Sequence, residues 1–271
     1  MELRVIDEEW VDKPYFNLAV EEAIARSVDR TSPNTIRFWR NANAVIIGRF
    51  QCPILEVDIK NCQKFNTRVF RRFTGGGAVY HDLGNLNYAV SIKKDFIDIE
   101  NIFQLFEIVG ETVSRGLNAL SVKAKFSPLN DIEVNGRKIS GMAGTVLPNC
   151  FFVHGSILVN TNLDVMEKVL NVPSEKLEGR GIRSIRKRVS NIVDFNGEIS
   201  INEVKRVLKD CFEETFSTNS ETGKLSEEEI EYAKKLYKEK YLNYKWNFEP
   251  CLECNRLKTE VEDLLSLMGV G

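Results

Sequence analysis

Three features predict an α+β domain with helices packed on a sheet. The chain has a β-rich centre with interspersed helices, a strong Asn-Gly hairpin signal, and a helical end opened by two capping boxes. At 271 residues, one large domain or one domain plus a small appendage is expected. A hydrophobic content of 43% is enough for a sizeable core.

The elements follow in order. Residues 2–7 read as a strand. Residues 15–29 read as a helix, with Phe16, Ala19, Val20, Ala23 and Ile24 on one face. Residues 35–39 and 44–48 are rich in β-branched or aromatic side chains and read as strands. A short helix is expected over 56–65. Residues 69–90 hold a glycine motif between strand-like segments. The clearest helix spans 101–119, where Ile102, Phe106, Val109, Val113 and Leu117 step by three or four into a core stripe. Next comes the hairpin: Asp131-Ile132-Glu133-Val134, then Asn135-Gly136, then Arg137-Lys138-Ile139-Ser140. Asn-Gly supplies the positive φ angles of a two-residue turn. Residues 151–159 continue the sheet and 163–170 read as helix. Ser200-Ile201-Asn202-Glu203 and Ser226-Glu227-Glu228-Glu229 have capping-box spacing, predicting helices over 201–216 and 226–240 with the polar stretch 217–224 as linker.

Composition narrows the function. A net charge of −2 gives no support for bulk nucleic-acid binding. No window approaches the ~18 apolar residues of a membrane span, and the charged N-terminus lacks a secretory core. The expectation is a cytoplasmic protein with neither nucleic-acid nor membrane partners. Cysteines stand at 52, 62, 150, 211, 251 and 254. Four are scattered as in reduced cytosolic proteins. Cys251 and Cys254 form a lone C-x-x-C without the second pair a zinc site needs; a disulfide or an unremarkable tail fits better.

Two stretches carry chemistry. The first is Arg71-Arg72-Phe73-Thr74-Gly75-Gly76-Gly77-Ala78-Val79-Tyr80-His81-Asp82-Leu83-Gly84-Asn85-Leu86-Asn87. Three glycines leave backbone that can fold closely around a ligand, with N–H groups able to converge on an anion. The arginines add planar positive charge suited to phosphate or carboxylate. It is not a Walker A loop, since no Lys-Ser or Lys-Thr follows, and the G-x-G-x-x-G spacing fails at Tyr80. The second runs from Asn130-Asp131 through Gly136-Arg137-Lys138-Ile139-Ser140-Gly141-Met142-Ala143-Gly144. Lys138 follows a tight turn, and Gly141, Ala143 and Gly144 leave room for a ligand beside it. His154-Gly155-Ser156 is a third candidate. The basic run Arg180, Arg183, Arg186, Lys187, Arg188 reads either as a solvated loop or as a mobile cover for a ligand.

Taken together, these motifs resemble the lipoate–protein ligase branch of the biotin and lipoate ligase superfamily. The likeness rests on the glycine motif, on Asn130-Asp131 with Gly-Arg-Lys138-Ile-Ser-Gly, on His154-Gly155-Ser156 and on Arg188-Val189-Ser190-Asn191. Its order and spacing hold over roughly 15–195. The helical segment to about 248, including Tyr244-Lys245-Trp246, resembles the end of the family's large domain.

The resemblance implies a mixed, largely antiparallel sheet flanked by helices. It implies ATP with Mg2+ and lipoate as substrates, and no permanently bound cofactor. A lipoyl-adenylate would form first and pass its acyl group to a lysine of an acceptor lipoyl domain, of the 2-oxoacid dehydrogenase E2 or glycine-cleavage H type. It implies Lys138 as catalytic residue; Arg71, Gly75, Gly76, Gly77, Ala78, Val79, His81, Asn85, Asp131, Gly141 and Ala143 with it on the nucleotide; and Arg72, Gly76, His154 and Gly155 with Lys138 on lipoate. Asp82 or Asp131 would place magnesium, and an apolar tunnel would run near residues 45–48 and Val79. With only 23 residues after Phe248, the family's small C-terminal domain is expected on a separate accessory subunit. Rivals on the same fold are an octanoyl or lipoyl transferase with a cysteine nucleophile, for which Cys150 is the cysteine near the motifs, and a biotin ligase; a third is a non-catalytic acyl- or nucleotide-binding regulator.

Overall fold

A computed structural model describes residues 3–171 and 188–248. Arg180, Arg183, Arg186, Lys187, Cys251, Cys254 and the tail 249–271 lie outside the described residues.

Eleven strands are seen among the described residues. They are β1 (Leu3–Ile6), β2 (Asn34–Trp39), β3 (Asn43–Ile47), β4 (Arg68–Arg71), β5 (Val79–Asp82), β6 (Asn85–Lys93), β7 (Lys125–Ser127), β8 (Asp131–Val134), β9 (Arg137–Val146), β10 (Cys150–Leu158) and β11 (Ser220–Gly223). The helices are α1 (Pro14–Val28), α2 (Pro53–Glu56), α3 (Ile59–Lys64), α4 (Ile102–Ala119), α5 (Leu163–Val169), α6 (Ile201–Thr215), α7 (Glu227–Leu236) and α8 (Tyr244–Phe248).

An eight-stranded sheet runs β11-β1-β2-β6-β10-β9-β8-β7, and a three-stranded sheet runs β4-β3-β5. In the large sheet only β1 pairs in parallel, with β11 and β2, so the fold is mixed and largely antiparallel. The alternation of side chains along a strand separates two faces. On β6 and β10, Leu86, Tyr88, Val90, Val153 and Ile157 enter one core with Leu105, Val109, Val113 and Leu117 of α4 and Val204, Leu208 and Phe212 of α6. Val109, Val113 and Leu117 of the stripe foreseen for 101–119 are buried there, Leu105 joins them, and Ile102 and Phe106 pack partly buried at its edge. Ala89, Phe152 and His154 of the same strands face the other way, where Ala25 of α1 packs. The small sheet builds its own core from Val45, Ile46, Ile47, Val69 and Phe70 with Leu18, Ala19, Tyr241 and Phe248.

Helix ends follow local chemistry. Ser200 and Ser226 both form complete capping boxes, with Glu203 and Glu229; such caps stabilise by about 1 kcal/mol each. The expected helix over 226–240 departs from prediction: α7 ends at Leu236 and a π-helical turn, Tyr237–Tyr241, follows. That wider turn sets Lys240 and Tyr241 on buried Glu22, at 2.7 Å each. The expected linker over 217–224 contains β11. Only Thr222 in its Ser-Glu-Thr-Gly sequence favours a strand; pairing with the edge of β1 makes it one, and Glu213 holds its entry through Ser220 N–H at 2.8 Å.

Candidate active site

The glycine motif connects β4 to β5 and is knitted to β3. The Arg49 N–H donates to Thr74 O at 2.8 Å and the Arg72 N–H to Ile47 O at 3.0 Å. Backbone approach at Gly48 is so close that a Cβ there would lie 2.0 Å from Gly76 O. Gly76 takes φ +91, a conformation that favours glycine.

Arg72 is the loop's internal anchor. Its Nη2 donates to Gly75 O at 2.6 Å and Gly77 O at 2.8 Å, its Nη1 to Ile46 O at 3.1 Å, and its Nε to Thr74 Oγ1 at 3.1 Å. Trans-planar peptides carry C=O and N–H on opposite edges. Carbonyls drawn to the guanidinium therefore turn the N–H groups of Gly76 and Ala78 away from it. Burial lowers the Arg72 guanidinium pKa to about 10, opposed by the nearby Glu21 carboxylate.

Behind the loop runs a buried polar relay. Thr74 Oγ1 stands 2.7 Å from His154 Nε2, His154 Nδ1 stands 2.8 Å from Glu21 Oε2, and Trp39 Nε1 donates to Glu21 Oε1 at 3.1 Å. With Arg72 Nε directed at Thr74 Oγ1, the hydroxyl proton is free to point at His154 Nε2, and Nδ1 then donates to Glu21. His81 sits nearby against Trp39. Burial first, then the neighbouring Arg72 and His154, push its imidazole down to about 3, so it is neutral.

Lys138 is delivered by the Asn-Gly hairpin. Asn135 and Gly136 have φ 52 and 73, the two positive angles the sequence predicts. One residue past β9's start, Lys138 Nζ pairs with Asp131 Oδ1 across the hairpin at 2.6 Å. Its aliphatic stem lies over Gly141, where a Cβ would fall 2.7 Å from Cε, which explains the small residue at that position. On the other side its carbonyl accepts from the Ser190 N–H at 3.0 Å, tying the Arg-Val-Ser-Asn step to the lysine strand.

Two cavities meet at this lysine. The first, of about 140 Å³, is lined by Leu18, Trp39, Ile46, Arg72, Gly76, Gly77, His81, Asn87, Asn130, Met142, Ala143, His154 and Gly155. The second, of about 240 Å³, is lined by Tyr80, Asp131, Glu133, Ser140, Leu158, Met166, Leu170, Arg188 and Val189. Ala78, Val79, Lys138, Gly141 and Ser156 line both. Lys138 is the one cationic side chain common to the two among the described residues.

The structure gathers most of the residues singled out from the sequence, and turns four away. Arg71 lines neither cavity. Its buried guanidinium is held by the carbonyls of Gly48, Arg49, Gln51 and Asn247 at 2.7–2.9 Å. A donor set absorbed by backbone carbonyls is a structural clamp, not a phosphate hand. Gly75 faces Phe50 rather than either cavity. Asn85 is fully buried and donates to Asn87 Oδ1 at 3.0 Å. Asp82 accepts from the N–H groups of Gly84 at 2.9 Å and Asn162 at 2.7 Å, so both oxygens brace a turn. Of the two carboxylates named for magnesium, Asp131 alone reaches a cavity. No cluster of three or more His, Cys, Asp or Glu side chains able to hold a metal occurs among the described residues. Of the stretch expected to line a tunnel, Ile46 does so; Val45 and Ile47 belong to the small-sheet core.

Cys150 begins β10 in a separate cluster with Ile6, Val20 and Ala23. Burial pushes its thiol up to about 12, and among the described residues no cysteine lines either cavity. Sequence reasoning missed Leu18, Glu21 and Trp39; Asn87, Ser140 and Met142 stand in the two motifs without an assigned role. Asn17 and Glu21, one turn apart on a helix whose 14–25 stretch is mostly apolar, were the available signal for a polar patch facing inward.

Among the described residues, no helix is long and apolar enough to cross a membrane. Comparison with known proteins matches the Lipoyl protein ligase A/B catalytic domain over residues 13–213. Lipoate-protein ligase A subunit 1 of Thermoplasma acidophilum is 36% identical over 257 residues, covering 91% of this chain and 97% of that protein. A solved archaeal lipoylation system from Thermoplasma acidophilum, a bi-partite lipoate protein ligase and its E2 lipoyl domain, superposes with TM-score 0.83 at 36% identity, covering 91% of this chain and 96% of that one. A crystal structure of lipoate-protein ligase A bound with ATP gives TM-score 0.83 at 35% identity over 91% of this chain and 98% of that one.

Proposed function

The chain belongs to the lipoyl protein ligase A/B family, and from that premise and the site we infer that it is a lipoate–protein ligase, joining lipoate to a protein lysine at the expense of ATP. The observation that carries the assignment of parts is the pair of cavities meeting at Lys138.

Lipoate lies in the first cavity, its chain against Leu18, Trp39, Ile46 and Met142. ATP lies in the second, its base between Leu158, Met166, Leu170 and Val189. Their reacting ends then meet beside Lys138 and the backbone of residues 76–79. A lipoate carboxylate oxygen attacks the α-phosphate, and pyrophosphate leaves with the electron pair of the broken P–O bond. Two anions must approach, so fixed positive charge and N–H groups at that point lower the barrier. The lysine amine of the acceptor then attacks the acyl carbonyl and AMP departs. No protein nucleophile is needed, because the adenylate is itself the activated acyl group.

Magnesium would arrive with ATP and neutralise phosphate charge. Asp131 and Glu133 on the second cavity fit that ion, which takes one or two carboxylates plus phosphate oxygens. The acceptor is a lipoyl domain, and a separate accessory subunit completes the ligase, as the bi-partite naming of the Thermoplasma relatives supports.

The test is the intact mass of an acceptor lipoyl domain incubated with the chain, lipoate and MgATP, with and without the accessory subunit. A lipoyl-sized gain, lost in Lys138→Ala, is expected. A gain with an octanoyl carrier protein and no ATP would replace the ligase by a transferase.

A further inference from the structure

A directional chain of hydrogen bonds fixes the state of one histidine on the first cavity. Arg37 has only N–H groups to offer; its Nη2 donates to Asn17 Oδ1 at 2.8 Å, and the Trp10 N–H donates to the same oxygen at 3.1 Å. This assigns the Asn17 amide. Its nitrogen donates to Trp10 O, Arg40 O and, at 3.0 Å, Asn41 Oδ1. The Asn41 nitrogen is left facing His81 Nδ1 at 3.2 Å. An amide nitrogen only donates, so Nδ1 is the acceptor and the neutral ring carries its proton on Nε2. The ring stands edge-on to Trp39, with centroids 5.8 Å apart. Val79 lines both cavities, but His81, two residues further along β5, lines only the first. Its Nε2–H has no hydrogen-bond partner among the described residues.

We propose that His81 is a specificity-determining residue: a fixed N–H donor that favours an acyl chain ending in a sulfur-containing ring over a plain alkyl chain of the same length. The inference rests on reading the first cavity as the acyl cavity. A sulfur is a weak acceptor, whereas a methyl end leaves the N–H dry and unpaired, which is the costlier state. The Asn41–Asn17–Arg37 chain acts as a positioning element that keeps the donor turned inward.

The experiment measures lipoate and octanoate affinity calorimetrically for the full chain and for two variants, alongside 15N NMR of the histidine rings. In His81→Asn the shorter amide oxygen reaches the place of Nδ1, keeps the Asn41 bond and draws the nearest N–H back to the place of Cδ2, short of the Nε2 position. In His81→Gln the longer amide restores a donor near Nε2. The wild type is expected to prefer lipoate by about tenfold, His81→Asn to lose that preference and His81→Gln to recover most of it. General damage would weaken both acids and leave their ratio unmoved. A ratio unchanged in His81→Asn, no preference in the wild type, or an Nδ1–H ring at neutral pH overturns the proposal while leaving the ligase intact. Failure of the wild type to bind either acid with the accessory subunit added overturns both.

Discussion

Arg72 and Lys138 are cations of one site held in opposite ways. Arg72 is 4% exposed and its guanidinium bonds to the loop it carries at Thr74, Gly75 and Gly77 and to Ile46 of β3. Lys138 has a side chain 40% exposed and one carboxylate partner, Asp131. The first is charge used to build shape; the second is charge kept available for a ligand. A buried, fully bonded cation is expensive to remove and poorly placed to follow a reaction. A half-exposed ammonium on a flexible stem can exchange Asp131 for a phosphate or carbonyl oxygen.

Mutations can break this contrast. Lys138→Ala is expected to lower lipoyl transfer by ~10²–10³, the usual loss for one preorganised donor, with the thermal midpoint unchanged because the side chain is half exposed. An equal fall in stability would erase the distinction. Arg72→Met should do the reverse, lowering stability by about 3 kcal/mol through unpaired carbonyls, read in urea unfolding, with activity lost only as a consequence. Gly76→Ala tests the loop those bonds hold. At φ +91 and with its Cβ 2.8 Å from Arg72 Nη2, it should lose about 2 kcal/mol. Asp131→Asn frees Lys138 from its partner and should change transfer by no more than about tenfold, mainly through the apparent KM for MgATP. The smallest effect belongs to Cys150. With its thiol pushed up to about 12, iodoacetamide at mildly alkaline pH should leave transfer intact, and Cys150→Ser should retain it; inactivation by either would revive the transferase.

How far the sequence reached is visible in particular residues. Asn135-Gly136 placed the hairpin and Lys138, because a two-residue turn with two positive φ angles is a local matter. The three glycines announced a close-approach loop for the same reason. The adjacent pair Arg71-Arg72 did not announce its division of labour. One residue along a strand reverses the side chain's direction, so Arg71 points to Gly48, Gln51 and Asn247 while Arg72 points to the loop. Asp82 and Asp131 were equal candidates for magnesium on paper; a turn at Gly84 and Asn162 claimed one and the cavity kept the other. The role of Glu21 lay hidden because its partners, Trp39 and His154, are 18 and 133 residues away in sequence.

The sequence by itself determined the α+β class, the core stripe of α4, the caps of α6 and α7, the glycine loop and the lysine hairpin. Each depends on periodicity, turn chemistry or spacing that neighbouring residues settle among themselves. Only the tertiary structure decided that polar residues 220–223 form a strand, that two cavities meet at Lys138, and which of two arginines, two aspartates and two histidine nitrogens face a cavity. Those outcomes depend on partners far along the chain, and on the one-residue alternation that pairing across a sheet turns into inside or outside.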